Sequence, residues 1–193
     1  MTRRAVALLV PLLLAGCISL GGGKVPDRLI TLTAEASAPA GALAGAATSE
    51  ALLVLDPDTD RRLDVQRVPV QVDDASVAYL KDLQWVERPA RLFRRLLAET
   101  IRARGKQMVV EGSDAAVARQ DSLSGRLIDL GYDARSSSVV VRFDALREDR
   151  AGKLEARRFE AIVPGVAPRP EQVGPALNRA ANDVARQVAD WIG

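Results

Sequence analysis

The 193-residue sequence contains no histidine and a single cysteine, Cys17, and these absences exclude several kinds of chemistry. Catalytic sites of the Ser-His-Asp or Cys-His type need an imidazole, so neither is possible. A typical zinc site draws its ligands from His and Cys, and a disulfide within one chain needs two cysteines. Aromatic residues make up 4% of the chain, which is too few for an extended surface that stacks on bases or sugars. We therefore predict no metal site.

A strong net charge is also lacking, since 27 basic residues face 25 acidic ones. Arg3 and Arg4 lie in the N-terminal leader described below, and without them 25 residues of each sign remain. Nucleic-acid binding depends on clustered Lys and Arg, so a net-neutral chain argues against a nucleic-acid partner. Nothing in the sequence places two carboxylates in one cleft, so we predict no catalytic residue and no enzyme activity.

The first sixteen residues have the pattern of an export signal. Arg3 and Arg4 precede ten apolar residues, 5–14, which are followed by the small residues Ala15 and Gly16. The apolar run is too short to cross a bilayer as a helix. We therefore predict that residues 1–16 are a signal peptide.

The run Leu14-Ala15-Gly16-Cys17 resembles the lipobox of bacterial lipoproteins. This resemblance implies cleavage between Gly16 and Cys17, a diacylglycerol on the Cys17 thiol and an N-acyl chain such as palmitate on the new N-terminus; no other cofactor is expected. Two or more acyl chains hold a protein firmly on a membrane, whereas one chain binds only marginally. Ile18 stands where an Asp would resemble an inner-membrane retention signal, so we expect the outer membrane, on its periplasmic side.

The chain after the leader is expected to divide into a tether and one domain. Residues 17–27 contain Gly21-Gly22-Gly23, and such a run predicts a flexible tether from the lipidated cysteine. Residues 28–193 have a length typical of a single domain. Within it, residues 34–50 are rich in Ala, Ser, Gly and Pro and predict a loop or linker.

Short apolar or alternating runs predict a series of strands. Pro69 favours a sheet edge or a bend, and residues 81–82 are expected to separate two short extended pieces. Short polar links predict that the last three strands form an antiparallel meander, in the first of which Ile128, Leu130 and Tyr132 share one face. The predicted strands span residues 28–33, 51–55, 63–72, 77–86, 107–110, 121–132, 138–147 and 154–163.

Apolar residues repeated every three or four positions predict two helices. The first spans residues 89–104, with a proline in its first turn and Gly105 just past its end. The second begins between Pro170 and Pro175 and runs to Ile192. The order of elements predicts an α+β fold, with a mixed, largely antiparallel sheet and two main helices packed on one face.

Three stretches in this order resemble the ABC-type transport auxiliary lipoprotein family, best known from paraquat-inducible MCE transport systems. Residues 79–105 have a Tyr, a Trp and a Pro ahead of a helix of paired leucines. Residues 131–161 form a strand, a Ser-rich turn, a Val-rich strand and a returning strand that ends in Arg-x-Phe. The closing Ala-rich helix ends near Trp191. With the lipobox, the resemblance covers about residues 14–193.

The resemblance implies a non-catalytic lipoprotein subunit of an intermembrane transport system for lipids or other hydrophobic compounds. Its partners would be an MCE-domain tunnel protein, a permease and an ATPase, and it would dock the tunnel to the outer membrane. Some family members form rings, so a homo-oligomeric ring is a further expectation. The alternatives are a stand-alone cell-envelope scaffold or assembly lipoprotein and a lipid-binding delivery protein, for which a deep apolar pocket would argue.

Four residues are candidates for contact with a partner. Trp85 belongs to a residue type enriched in interface hot spots, although a core position beside the first helix is the commoner place for a tryptophan. The arginines would make the outer face of that helix basic, suited to an acidic partner or lipid phosphates, or they would form a solvated face paired with Glu87 and Glu99. The candidates are Trp85, Arg91, Arg94 and Arg95.

Overall fold

The structure is a computed structural model that describes residues 29–41, 51–105, 108–112 and 121–193. The predicted signal peptide and tether lie outside these ranges. Within them the chain forms nine strands and two helices. The strands are β1 (Leu29–Ile30), β2 (Leu52–Leu55), β3 (Asp58–Thr59), β4 (Arg67–Gln71), β5 (Val77–Trp85), β6 (Val109–Gly112), β7 (Asp121–Asp133), β8 (Ser138–Glu148) and β9 (Leu154–Val163). The helices are α1 (Pro89–Arg102) and α2 (Pro170–Ile192).

The strands join one mixed sheet around β7, the longest of them. One side of β7 pairs in parallel with β2, β3 and β4 at successive positions, and the other side pairs antiparallel with β8. β9 continues the antiparallel meander beyond β8, while β5 and β1 extend the sheet beyond β4 and β6 extends it beyond β2. The predicted meander and the predicted α+β class are both confirmed.

Both helices pack on one face of this sheet and against each other. Phe93 of α1 meets Phe143 of β8 edge to face, with 5.2 Å between the ring centroids, an arrangement that aromatic pairs favour. The face that α2 buries consists mainly of small side chains, which let a helix lie close to its neighbours. The buried residues of α2 include Ala176, Ala180, Ala181, Val184, Ala185, Val188 and Ala189.

One predicted face of β7 is wrong at a single position. The pairing of β7 with β8 shifts register between Leu127 and Asp129, so Ile128 is the extra residue of a β-bulge. A bulge reverses the alternation of side chains beyond it. Leu127 therefore occupies the core with Leu130 and Tyr132, while Ile128 is only partly buried.

Pro69 does not lie at a sheet edge, because β4 runs between β5 and β7. The bend is present: the pairing of β4 with β5 is irregular between Arg67 and Pro69, where proline has no N–H to donate. β5 is also one strand rather than two pieces. Asp82 within it has a φ of +59° and takes up the irregularity.

Gly125 of β7 provides a direct test of this packing. Its φ is +150°, and a Cβ atom there would overlap the Asp144 carbonyl oxygen and lie 2.8 Å from the Phe143 ring. We expect Gly125→Ala to lower the free energy of unfolding by about 2–4 kcal/mol, measured by urea denaturation. Gly152→Ala, with a φ of +80° and open space around it, should cost about 1 kcal/mol. Equal losses of unfolding free energy in the two variants would mean that the steric overlap at Gly125 contributes nothing.

Candidate functional site

The predicted site residues lie in different environments. Gly16 and Cys17 fall outside the described residues. Trp85 ends β5 and is 1% exposed, in the core beside α1, and its indole N–H has no hydrogen-bond partner among the described residues. The interpretation of Trp85 as a partner contact is therefore wrong, because a partner cannot reach a buried side chain. The alternative, a core position beside α1, is the one observed.

The three candidate arginines of α1 also differ from one another. Arg94 is 14% exposed and pairs with Asp56 at 3.0 Å and Glu111 at 3.3 Å, so it fastens α1 to the ends of β2 and β6. Arg95 is more than half exposed and pairs with Glu87. Arg91 is exposed and forms no ion pair with another described residue. Only Arg91 and Arg95 are therefore open to a partner.

The ion pairs of Arg94 extend into a network with Arg102. Arg102 pairs with Glu99 at 2.6 Å and approaches Glu111 at 3.4 Å, so the two arginines share one carboxylate. Of the pairing expected as one alternative, Arg95 does contact Glu87, whereas Glu99 pairs with Arg102 and not with one of the three candidate arginines. Half-buried pairs of this kind fix geometry more than they add stability.

Residues 31–38, the N-terminal strap, cross both helices and are held there by side chains. The Thr33 N–H donates to Asn178 Oδ1 at 2.8 Å, and the Glu35 N–H donates to Asn182 Oδ1 at 2.9 Å. The amide of Asn182 donates back to the Thr33 carbonyl at 2.9 Å. Farther along, the Ala38 N–H donates to a Glu99 oxygen on α1 at 2.8 Å.

Asn182 is the centre of this attachment. It is 4% exposed, on the otherwise apolar face of α2, and its side chain is satisfied by the strap as buried polar groups require. Sequence reasoning missed it, although an Asn inside an Ala-Val stripe is itself a signal.

A cavity of about 310 Å³ lies beside the strap. Its lining comprises Glu35, Ala36, Thr100, Ala103, Arg104, Asn182 and Arg186.

The sheet face away from the helices carries two rows of alternating charge across β7, β8 and β9. The first charge row is Asp129–Arg142–Glu160, in which Arg142 pairs with both carboxylates. The second is Arg126–Asp144–Arg158, in which Arg126 lies opposite Asp144 and Arg158 contacts Asp144 at 2.5 Å. Opposite charges directly across antiparallel strands stabilise the pairing.

The second charge row sets the protonation of its central carboxyl. Arg158 donates two hydrogen bonds to Asp144, and they hold the pKa of that carboxyl below its ordinary value despite partial desolvation. Arg135 lowers the pKa of Asp133 in the same way, at the end of β7. These ion pairs therefore stay charged in neutral and mildly acidic solution.

A cleft of about 310 Å³ opens on the same face beside Arg62. Burial alone would lower the pKa of Arg62, but hydrogen bonds to Asp60 and Asp129 outweigh it and raise the pKa. The guanidinium also donates to the Ile128 carbonyl at 2.6 Å. The Arg62 guanidinium that lines the cleft therefore already has hydrogen-bond partners within the chain. Through them it fixes the turn before β4 to the bulge of β7.

Neither α1 nor α2 has the length and apolar character needed to cross a bilayer. Among the described residues no three or more His, Cys, Asp or Glu side chains are grouped so as to hold a metal ion.

Comparison with known proteins gives one family and several similar folds. The family model for the ABC-type transport auxiliary lipoprotein component matches residues 31–189. A crystal structure of a Xanthomonas campestris protein from the family DUF330 is similar at a TM-score of 0.66 and 17% identity, covering 86% of this chain and 92% of its own. The crystal structure of an uncharacterized protein is similar at a TM-score of 0.63 and 17% identity, and the match covers 75% of this chain and 93% of that protein. At such identity these structures show the fold alone. No curated protein matches the chain.

A substitution at Asn182 tests the attachment of the strap. Asn182→Ala leaves the Glu35 N–H and the Thr33 carbonyl without partners, so we expect the free energy of unfolding to fall by about 2–3 kcal/mol. Amide hydrogen exchange at Glu35 should accelerate in the same variant. Asn178→Ala, which removes one bond at an exposed position, should cost less than about 1 kcal/mol. Slow exchange at Glu35 in the Asn182 variant would contradict the attachment.

Proposed function

The chain belongs to the family of ABC-type transport auxiliary lipoprotein components, and from this membership we propose that it is the lipid-anchored, non-catalytic subunit of an MCE-type ABC transport system. In this role it docks the periplasmic tunnel to the outer membrane, and the system moves lipids or other hydrophobic compounds between the two membranes. Its partners are the MCE-domain tunnel protein, the permease and the ATPase. It works there as a homo-oligomeric ring.

The family match over residues 31–189 is the observation that carries this proposal. The lipobox-like run that ends at Cys17 agrees with it, because a lipoprotein needs a cysteine directly after its cleavage site. The absence of histidine agrees with a subunit that binds and positions rather than catalyses.

The strap gives the anchor a defined point of attachment to the domain. The step from Cys17 to Leu29 is twelve residues and reaches at most about 40 Å when fully extended. A lipidated Cys17 would therefore keep the domain within that distance of the outer membrane. From β1 onward the chain is fixed to the sheet and then to both helices.

The interior of the domain supports docking over carriage of lipid. Phe93, Phe143 and Leu177 fill the space between the sheet and the helices and are 0–1% exposed. A delivery protein would need a deep apolar pocket at this interface. The partner contact that we propose is instead the exposed part of α1 around Arg91 and Arg95.

Replacing Cys17 tests the anchor. We expect Cys17→Ala to leave the circular dichroism spectrum and the unfolding midpoint unchanged, while incorporation of labelled palmitate is lost and the protein leaves the membrane fraction. Ile18→Ala, which keeps the thiol, should remain in the membrane fraction. A Cys17→Ala protein that stays firmly bound to membranes would count against lipid anchoring.

Crosslinking in the protein's own membranes, followed by purification and mass spectrometry, tests the transport role. We expect to recover an MCE-domain protein together with a permease and an ATPase. Arg91→Glu combined with Arg95→Glu should reduce that recovery several-fold, because reversed charges repel an acidic partner surface. Arg61→Glu, at an exposed turn, is the matched control. Recovery of outer-membrane assembly proteins alone would favour the scaffold and overturn the transport role.

A further inference from the structure

The hairpin between β4 and β5 ends in residues 72–77, the hairpin tip, which is both apolar and acidic. Every residue of the tip is exposed. Val72 and Val77 are 45% and 43% exposed, although valine is among the residue types most often buried. Asp73 and Asp74 lie between the two valines. The tip therefore presents apolar surface and negative charge together, and burying the valines against another surface would be favourable.

The negative charge of the hairpin tip is only partly balanced within the chain. The Ala75 N–H donates to Asp73 at 2.8 Å, and this bond is the main reason that the pKa of Asp73 lies below its ordinary value. Asp73 forms no ion pair with another described residue. Asp74 and the neighbouring Asp133 share one partner, Arg135. Three carboxylates thus lie beside one guanidinium, and the Asp74 side chain is 95% exposed.

A surface of the opposite character lies where α2 ends. Trp191 is partly buried against Phe159, with 5.6 Å between the ring centroids. The exposed guanidinium of Arg157 lies 5.2 Å from the centroid of the same Phe159 ring, and no described carboxylate pairs with it. Arg147 adds a second positive charge and donates to the Ile192 carbonyl at 3.3 Å. Tryptophan and arginine are the residue types that interface hot spots favour. The α2-end patch comprises Arg147, Arg157, Phe159 and Trp191.

The hairpin tip and the α2-end patch lie at opposite ends of the sheet. Asp74 contacts Arg135, which is in the turn just before β8, whereas Arg147 is near the end of β8. The part of β8 from residue 138 to residue 147 spans about 30 Å. The tip and the patch also lie on different sides of β7, since β4 pairs with one side and β8 with the other. The tip therefore cannot reach the patch of its own copy.

We infer that the hairpin tip of one copy binds the α2-end patch of the next copy, with Asp73 facing Arg157 and Val72 packed against Trp191. This inference rests on the homo-oligomeric ring proposed above and names the contact that builds it. Because the two surfaces are different, the contact is head-to-tail, and such a contact closes into a ring when the rotation between successive copies fits.

The charges favour this combination over the two symmetric ones. Two hairpin tips face to face would bring aspartates together, and two α2-end patches would bring arginines together. Like charges placed opposite one another are costly, while complementary patches speed association and fix its register. The acid nearest the patch, Glu155, is already paired with Lys153. The contact uses neither Arg91 nor Arg95, so a neighbouring copy and a transport partner do not compete for the same surface.

Charge reversal with rescue tests the contact in the full-length protein in detergent, with the assembled mass measured by sedimentation velocity. We expect the parent to form oligomers larger than a dimer. Asp73→Arg and Arg157→Asp should each weaken assembly about ten-fold or more. An equimolar mixture of these two variants should assemble again, because every contact between unlike copies then joins opposite charges. Arg61→Asp, at an exposed turn, is the matched control and should assemble like the parent.

Thiol crosslinking distinguishes a head-to-tail contact from a two-fold one. Ala75→Cys places a thiol on the hairpin tip, and Gly193→Cys places one beside the α2-end patch, both at exposed positions. With a short bismaleimide, the double variant should give a ladder of covalent trimers and larger species. Each single variant, and the parent with Cys17 alone, should stay uncrosslinked. A product that stops at the dimer would show a two-fold contact and overturn the inference.

The remaining outcomes separate this inference from the proposed function. A parent that stays monomeric at every concentration would overturn the ring itself, and the tip-to-patch contact with it. A parent that assembles while Asp73→Arg and Arg157→Asp assemble equally well would overturn the contact alone and leave the ring standing. The transport role is measured separately, by the recovery of an MCE-domain protein. Unchanged circular dichroism spectra would show that the variants fold.

Discussion

The close packing of α2 against the sheet is the constraint on which the rest of the structure depends. Its buried face is built from alanine and valine, so the helix lies near both β8 and β9 and beside α1. The single buried polar side chain on that face, Asn182, then meets the strap directly. On the opposite face of the same sheet the charge rows remain in solvent. A bulkier stripe on α2 would lift the helix and separate Asn182 from its partners.

Much of this architecture can be predicted from the sequence, because it rests on local periodicity. The stripe of α1 and the alternation of β8 both place in the core the residues that the pattern indicates. The predictions fail where the backbone geometry of one strand depends on its pairing with a neighbouring strand. The bulge at Ile128 and the left-handed Asp82 depend on the register with the neighbouring strand, and β4 lies inside the sheet despite Pro69 because β7 pairs with only the end of that strand.

The environments of the surface residues are harder to predict, because they too depend on contacts between elements that are distant in the sequence. Spacing along α1 places Arg91, Arg94 and Arg95 on or near one outer face, yet it cannot show that Asp56 and Glu111 arrive from two other strands to cover Arg94. Asn182 likewise has partners nearly 150 residues away in the sequence. In β8 the pattern does place Arg142 and Asp144 on the face away from the core. Their partners become visible only when the register with β7 and β9 is known.

The strap has a mechanical consequence. A force that pulls on the N-terminal end meets the two-residue pairing of β1 with β5 first, then the amide contacts of α2, and finally the Glu99 contact on α1. These attachments yield one after another rather than together, because the strap peels from one end. Releasing residues 29–38 adds about 35 Å of extensible chain, and it also removes Ile30, Leu32 and Ala34 from their packing against the core. Under such a force the chain would therefore lengthen in steps, and each step would uncover part of the core.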